Sequence, residues 1–324
     1  MRHTLPALLV ALSALVPVFG GTPPADEPDI WLVRGPASEQ AHGADRTFNP
    51  ASLVKLATTL WALETLGPTH RFETEFGYRG RLDRESGTLH GDLLVRGGAD
   101  PDFHLENAWL VAGALNAAGV RRVTGDLLVD GRVWIGWEGG AERRLRDPSR
   151  RATAMAGRLR DALDPARHDR ASREGIAAFR ERRGPASAPH PQPGAERVGV
   201  EIVGSPRGSA DLPAFVATLV VHRSNPLARI LKRFNSYSNN DIERLGELLG
   251  DAEGLTRFVR RRLGREADGP RFATLSGLGS NRMSARDVLG LLDELRDAAV
   301  AAGLELDDLL PVAGCDPGTL ERFR

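Results

Sequence analysis

Leucine recurs at positions 53, 56, 60, 63 and 66, the spacing that lines one face of a helix. The pattern predicts a helix from Pro50 to Leu66. Asn49 suits its N-cap, and Pro50 suits the first helical position, where a missing N–H costs nothing. Gly67-Pro68 closes the run. Short apolar or alternating stretches predict strands over Ile30–Val33, Arg71–Arg79, Thr88–Arg96, Val123–Asp130 and Arg197–Val203. Gly97-Gly98-Ala99-Asp100-Pro101 is a strong turn. Helices are predicted over Asn107–Ala118, Asn225–Phe234 and Asp241–Leu249, and Ser284 is the expected N-cap of another over Ala285–Ala299. Ser209–Val221 fits a strand or a helix. Asp92 and Asp126 share a Gly-Asp-Leu-Leu-Val setting, which hints at paired equivalent strands rather than catalysis.

Composition sharpens this picture at four places. The 324 residues suffice for two domains or one large one, and 41% hydrophobic with 27% charged content implies a packed core. Formal net charge is zero, which gives no reason to expect nucleic acid or an anionic membrane as partner. Residues 139–195 differ from the rest. Arg143–Arg183 is dense in Arg, Asp and Ala and predicts one or two solvated helices, and the Pro-rich Gly184–Gly194 predicts a linker. Acidic residues are interleaved with the arginines, which favours a solvated face over a nucleic-acid patch. At the start, Arg2 and His3 precede an apolar Leu5–Phe19, and Val18-Phe19-Gly20 suits cleavage, so residues 1–20 are expected to be an export signal. An uncleaved anchor is the alternative, although the apolar run is short and contains Pro6 and Pro17. Residues 21–28 follow as a linker. Cys315 is the single cysteine, so no internal disulfide forms, and the eight histidines show no metal-ligand spacing. No metal or cofactor is expected.

Candidate chemistry begins at Ser52 and Lys55, three residues apart and so on one face of the predicted helix. A serine hydroxyl is a weak nucleophile until a neighbouring base takes its proton. A lysine amine serves as that base when desolvation and nearby positive charge favour its neutral form. The partial positive charge of a helix N-terminus acts in the same direction and favours a developing oxyanion. Ser-x-x-Lys alone is weak, and a surface lysine near a helix cap explains it equally well. Of 43 Lys+Arg, however, only Lys55 and Lys232 are lysines. Arginine does not deprotonate in a protein and cannot replace a lysine base, so a lysine retained here is informative. Lys232, within a predicted helix, is assigned to packing or surface.

The ordered set of motifs points further. Pro50-Ala51-Ser52-Leu53-Val54-Lys55, Gly97–Pro101, Ser236-Tyr237-Ser238-Asn239-Asn240, Leu275-Ser276-Gly277-Leu278 with Asn281-Arg282-Met283-Ser284, and Leu310-Pro311-Val312-Ala313-Gly314 follow one another along the chain. The set resembles the class C low-molecular-mass penicillin-binding proteins, the D-alanyl-D-alanine carboxypeptidase/endopeptidases of peptidase family S13. The resemblance implies an α/β fold, a serine β-lactamase/transpeptidase-like core with an inserted β-rich region. In this reading 21–68 and 223–324 form the core, and 69–222 is the insertion. It implies that Ser52 is acylated and Lys55 activates it. Ser238 would relay a proton to the leaving group, and Asn240 would hold the substrate's backbone amide. On residue type alone Ser238-Asn239-Asn240 also suits a helix-capping turn. The implied substrates are peptidoglycan stem peptides, with β-lactams as covalent inhibitors, in the periplasm or cell envelope.

Two departures accompany the resemblance. After Asn240 no Lys/Arg/His-Thr/Ser-Gly triplet occurs. The family's Lys-Thr-Gly strand is therefore expected to be missing, as in a truncated chain or in a catalytically degenerate, peptidoglycan-binding relative. Residues 139–195 also lack the family's usual pattern, so the accessory insertion is expected to be reduced or rewritten.

Overall fold

The computed structural model describes residues 9–11, 29–137, 147–183, 198–237 and 240–322. The chain forms two compact units. One combines residues up to Gly67 with those from Leu249 onward, and the other is Pro68–Leu248. In the first unit, β1 (Leu9–Ala11), β2 (Trp31–Arg34) and β3 (Glu39–His42) form an antiparallel sheet in that order. The rest of the expected export signal and the linker at 21–28 lie outside the described residues. β4 (Thr47–Phe48) leads into a 3-10 turn at Ala51–Leu53, and α1 (Val54–Leu66) follows. The leucine spacing gave the helix and its end at Gly67, but not its start. The turn precedes α1, and Asn49 makes no N-cap for it. All of Val54–Leu60 is buried, because the small Ala57, Thr58 and Thr59 let neighbours close over the side opposite the leucines.

The second unit opens with a long hairpin, β5 (Glu73–Asp83) and β6 (Thr88–Arg96), paired from Glu75↔Arg96 to Asp83↔Thr88. α2 (Leu105–Ala117), β7 (Arg122–Val123) and β8 (Leu127–Val129) follow. The two Gly-Asp-Leu-Leu-Val segments lie side by side. β6 and β8 are parallel with Leu93↔Leu127 and Val95↔Val129, and Asp92 Oδ1 accepts from Asp126 N at 2.8 Å. Asp126 Oδ1 in turn accepts from Ser205 N at 2.8 Å. Each aspartate thus pins the start of the next parallel strand. α3 (Pro148–Leu163) begins at Asp147, whose side chain accepts from Arg150 N, and α4 (Arg170–Arg183) follows. β9 (Glu201–Ile202), β10 (Pro206–Gly208) and β11 (Ala217–Arg223) complete a seven-stranded sheet with main order β10-β8-β6-β5-β11. α5 (Leu227–Ser236), a 3-10 turn at Asp241–Leu245 and α6 (Gly246–Leu249) end this part of the chain.

The core of the second unit corrects one expectation. Met155, Ala156, Leu159 and Leu163 of α3 are buried with Leu93, Val95, Leu127 and Val129 of the sheet and with Val111 and Leu115 of α2, and Ala152 is buried as well. Their i, i+3, i+4 spacing makes a core stripe inside an arginine-rich run, so α3 is a packed helix, not a solvated one. α4 does present a charged surface, with Arg170 and Glu174 paired at 2.7 Å and largely exposed. The Pro-rich linker expected at 184–194 lies outside the described residues.

The chain then returns to the first unit. α7 (Ala252–Arg262) starts at Asp251, which accepts from Gly254 N at 2.9 Å, and its Phe258 stacks on Trp61 of α1. β12 (Met283–Ser284) pairs with β4. α8 (Ala285–Ala301) opens on the expected Ser284, in a capping box with Asp287. Arg286 of α8 pairs with Asp45 and Glu39, and Arg34 pairs with Asp293, tying the β2–β3 hairpin to this helix.

Candidate active site

Ser52 lies in the 3-10 turn before α1 and is exposed, whereas Lys55, in the first turn of α1, is only 3% exposed. One local element therefore presents a hydroxyl to solvent and encloses an amine three residues on. The turn is unusual in its backbone. Ala51 has φ 46°, the left-handed region that a residue with a Cβ enters at a cost of about 1–2 kcal/mol.

The Leu275–Leu278 segment is built against this strained peptide. Gly277 has φ +101°, and a Cβ on it would lie 1.9 Å from the carbonyl oxygen of Ala51 and 2.9 Å from Ser52 N. Only a glycine lets the two backbones meet here. The surrounding loop is fixed by side chains. Thr58 Oγ1 of α1 donates to Leu275 O at 2.7 Å, and Gly277 N donates to Thr274 Oγ1 at 3.1 Å. Asn281 is fully buried. It accepts from Ala273 N at 2.8 Å and donates to Leu278 O at 3.0 Å. Asn49 bridges turn and loop, with Nδ2 donating to Gly279 O at 3.0 Å and Oδ1 accepting from Ala51 N at 3.4 Å. Asn49 thus acts on the loop instead of capping the helix. Sequence reasoning assigned no role to Gly277, Asn281 or Asn49 in holding Ser52. The signal available was the glycine of Leu275-Ser276-Gly277-Leu278, since a residue without a Cβ permits a positive φ and a close backbone approach, but it does not say what approaches.

The other two site candidates belong to the second unit. Asn240 is half-buried and precedes the 3-10 turn at Asp241–Leu245, with its carbonyl accepting from Glu243 N at 2.9 Å. Ser238 lies outside the described residues. Lys232 sits in α5, where its carbonyl accepts from Ser236 Oγ. Among the described residues no group of three His, Cys, Asp or Glu is placed to hold a metal ion. No described helix is long and apolar enough to cross a membrane.

The profile of the D-Ala-D-Ala carboxypeptidase 3 (S13) family matches residues 38–149 and 197–324. The chain belongs to that family. A D-alanyl-D-alanine carboxypeptidase of Actinomadura sp. (strain R39) is 40% identical over 81 residues, which are 25% of this chain and 15% of that protein. The match to this curated S13 relative thus spans a small part of its length. A predatory endopeptidase of Bdellovibrio bacteriovorus, solved with an immunity protein, superposes with a TM-score of 0.75 at 25% identity, over 89% of this chain and 74% of that one. A second endopeptidase of that organism, solved as a penicillin G acyl-enzyme with the immunity protein, has a TM-score of 0.67 at 22% identity, over 89% and 72%. The S13 chain therefore has the expected mixed α/β fold of the penicillin-binding peptidases.

Proposed function

We propose that this S13 chain is a serine-type D-Ala-D-Ala carboxypeptidase/endopeptidase acting on peptidoglycan stem peptides and acylated by β-lactams at Ser52. The observation that carries the reading is an exposed Ser52 on a strained turn, backed by Gly277 and followed one turn later by a buried Lys55. Ser52 Oγ attacks the carbonyl carbon of the penultimate D-alanine, and its proton passes to the Lys55 amine. Only the neutral form of that buried amine accepts a proton. The C–N bond then breaks, and the leaving amine takes a proton, through Ser238 in this reading. Asn240 holds the backbone amide of the substrate. Water finally attacks the ester and restores the Ser52 hydroxyl. Such substrates place the protein in the exported compartment, as the apolar N-terminal run suggests.

The test is intact mass after incubation with benzylpenicillin, with Ser52→Ala as control. A stable adduct that maps to Ser52 and is lost in Ser52→Ala is expected. A folded protein with no adduct, and with muropeptide binding unchanged by Ser52→Ala, would overturn the enzymatic reading in favour of a non-catalytic binding relative.

A further inference from the structure

The Gly97–Pro101 turn takes no part in the chemistry above, yet it is packed closely against other backbone and carries buried polar groups. Gly97 and Gly98 admit backbone where a side chain would clash. A Cβ on Gly98 would lie 2.2 Å from Glu73 O, and one on Gly97 would lie 2.3 Å from the carbonyl carbon of Arg132. Ala99 follows with φ 60° and donates from its N–H to Arg132 O at 3.0 Å. Asp100, Asp102 and His104 are all buried, and Asp100 Oδ1 accepts from Asp102 N at 2.9 Å. The turn is therefore fixed from several sides.

Two guanidinium groups reach this turn from either side of Asn240 in the chain. Arg233, in the last turn of α5, places Nη1 3.1 Å from Asp102 Oδ1 and lies over the Trp137 ring. Arg244, buried in the 3-10 turn after Asn240, donates from Nη1 to Pro101 O at 3.1 Å and from Nη2 to Gly136 O at 2.6 Å. Its guanidinium also lies over the Trp134 ring. Further along, Glu247 of α6 pairs with Arg151 of α3 at 2.6 Å. Both flanks of Asn240 are thus tied to residues 101 and 102 of a single rigid turn. A planar fork that satisfies two carbonyls at once fixes direction as well as distance, which a lysine point charge does not.

We infer that Arg233 and Arg244 are positioning residues, which anchor the flanks of Asn240 to the Gly97–Pro101 turn and so set where its side-chain amide meets the substrate. The inference rests on the role proposed for Asn240. It gives the Gly-Gly-Ala-Asp-Pro motif a function, as the fixed support of a binding residue distant in sequence.

The test uses the full chain and three variants. Arg244→Lys keeps the charge and loses the fork. The Arg233→Gln/Asp102→Asn pair removes the ion pair without leaving a buried charge alone, and covers the case in which Arg244→Lys fails to fold. Arg233→Lys is the conservative rescue. Benzylpenicillin acylation is resolved into its maximal rate and its half-saturating concentration. In the first two variants the half-saturating concentration is expected to rise about tenfold, the loss of one well-placed polar contact, with the maximal rate changed by less than about threefold. Arg233→Lys is expected to stay near the parent value. A purely structural role would lower the unfolding midpoint and leave the half-saturating concentration unmoved in folded protein. That result, with the parent acylated normally, overturns the inference and leaves the proposed function standing. A parent that is not acylated overturns the proposed function and this inference with it.

Discussion

At the scale of single residues, the Ser52 turn depends on a hydrogen atom at Gly277. An alanine there would drive a Cβ to 1.9 Å from Ala51 O, so the turn or the loop must move. Misplacing a reacting group by about 1 Å costs on the order of 100-fold in rate. Gly277→Ala is therefore expected to slow penicillin acylation about 100-fold with circular dichroism unchanged. Gly157→Ala, where an added Cβ meets nothing within 4 Å, should leave the rate as it was. Asp100 and His222 give a second prediction. Burial pushes the Asp100 carboxyl up to about 7 and the His222 imidazole down to about 4. The groups facing Asp100 are Asp102, whose N–H it accepts and whose charge raises it further, the cations Arg244 and Arg233, and His222 Nε2 at 3.8 Å from Asp100 Oδ2. The raised aspartate contributes stability that is complete below its unfolded value near 4 and is lost as pH rises through about 7. The depressed histidine contributes stability present above about 6.5 and lost as pH falls through about 4. Asp100→Asn removes only the first effect. Its melting temperature relative to the parent should climb between pH 5 and pH 8, and a flat difference across that range would show that Asp100 does not titrate there. Lys55 stands out at this scale because lysine is scarce in the chain. The contact of Gly277 was not legible, because its partner Ala51 lies more than two hundred residues away in the sequence.

At the scale of elements, the strands and caps were legible where the pattern is local. Thr88–Arg96 is a strand at both expected ends, and Ser284 opens α8. The capping box there is doubly made, with Ser284 Oγ accepting from Asp287 N at 3.1 Å and Ser284 N donating to Asp287 Oδ2 at 2.8 Å. Ser284→Ala should cost about 1 kcal/mol, read from the urea midpoint. The start of α1 was not legible, since Ala51 is left-handed and meets Gly277 in a contact that no local signal encodes. α3 was misjudged for a different reason. Its arginines dominate the composition, but the stripe from Ala152 through Leu163 decides its place, and a stripe outweighs average polarity. Met155 is fully buried, and its sulfur lies 3.3 Å from Ile135 N. Met155→Ala is expected to destabilise the protein by about 2–5 kcal/mol, the range for emptying a core site, whereas a solvated helix would lose under about 0.5 kcal/mol. The equal Gly-Asp-Leu-Leu-Val settings were the sequence's best long-range clue. Equivalent strands of one parallel ladder need the same edge chemistry, and here each aspartate supplies the acceptor for the next strand's first N–H.

At the scale of the whole molecule, the family was legible because five weak motifs occur in one order, which no single spacing could establish. Charge is the property of the entire chain that the sequence does settle. Lys+Arg and Asp+Glu are equal at 43 each, and the sequence pI is about 7.1. A protein without net charge has no long-range repulsion between copies, so attraction between surfaces is least opposed near neutrality. Light scattering of the full chain should therefore give its lowest second virial coefficient close to pH 7. The value should rise by pH 5 and again by pH 9, as the net charge departs from zero in either direction. Local plus–minus contacts dominate when net charge vanishes, so about 0.15 M salt, with a screening length near 8 Å, should raise the pH 7 value. A minimum displaced by more than about one pH unit would mean that buried groups such as Asp100 and His222 shift the charge of the folded protein away from the formal count.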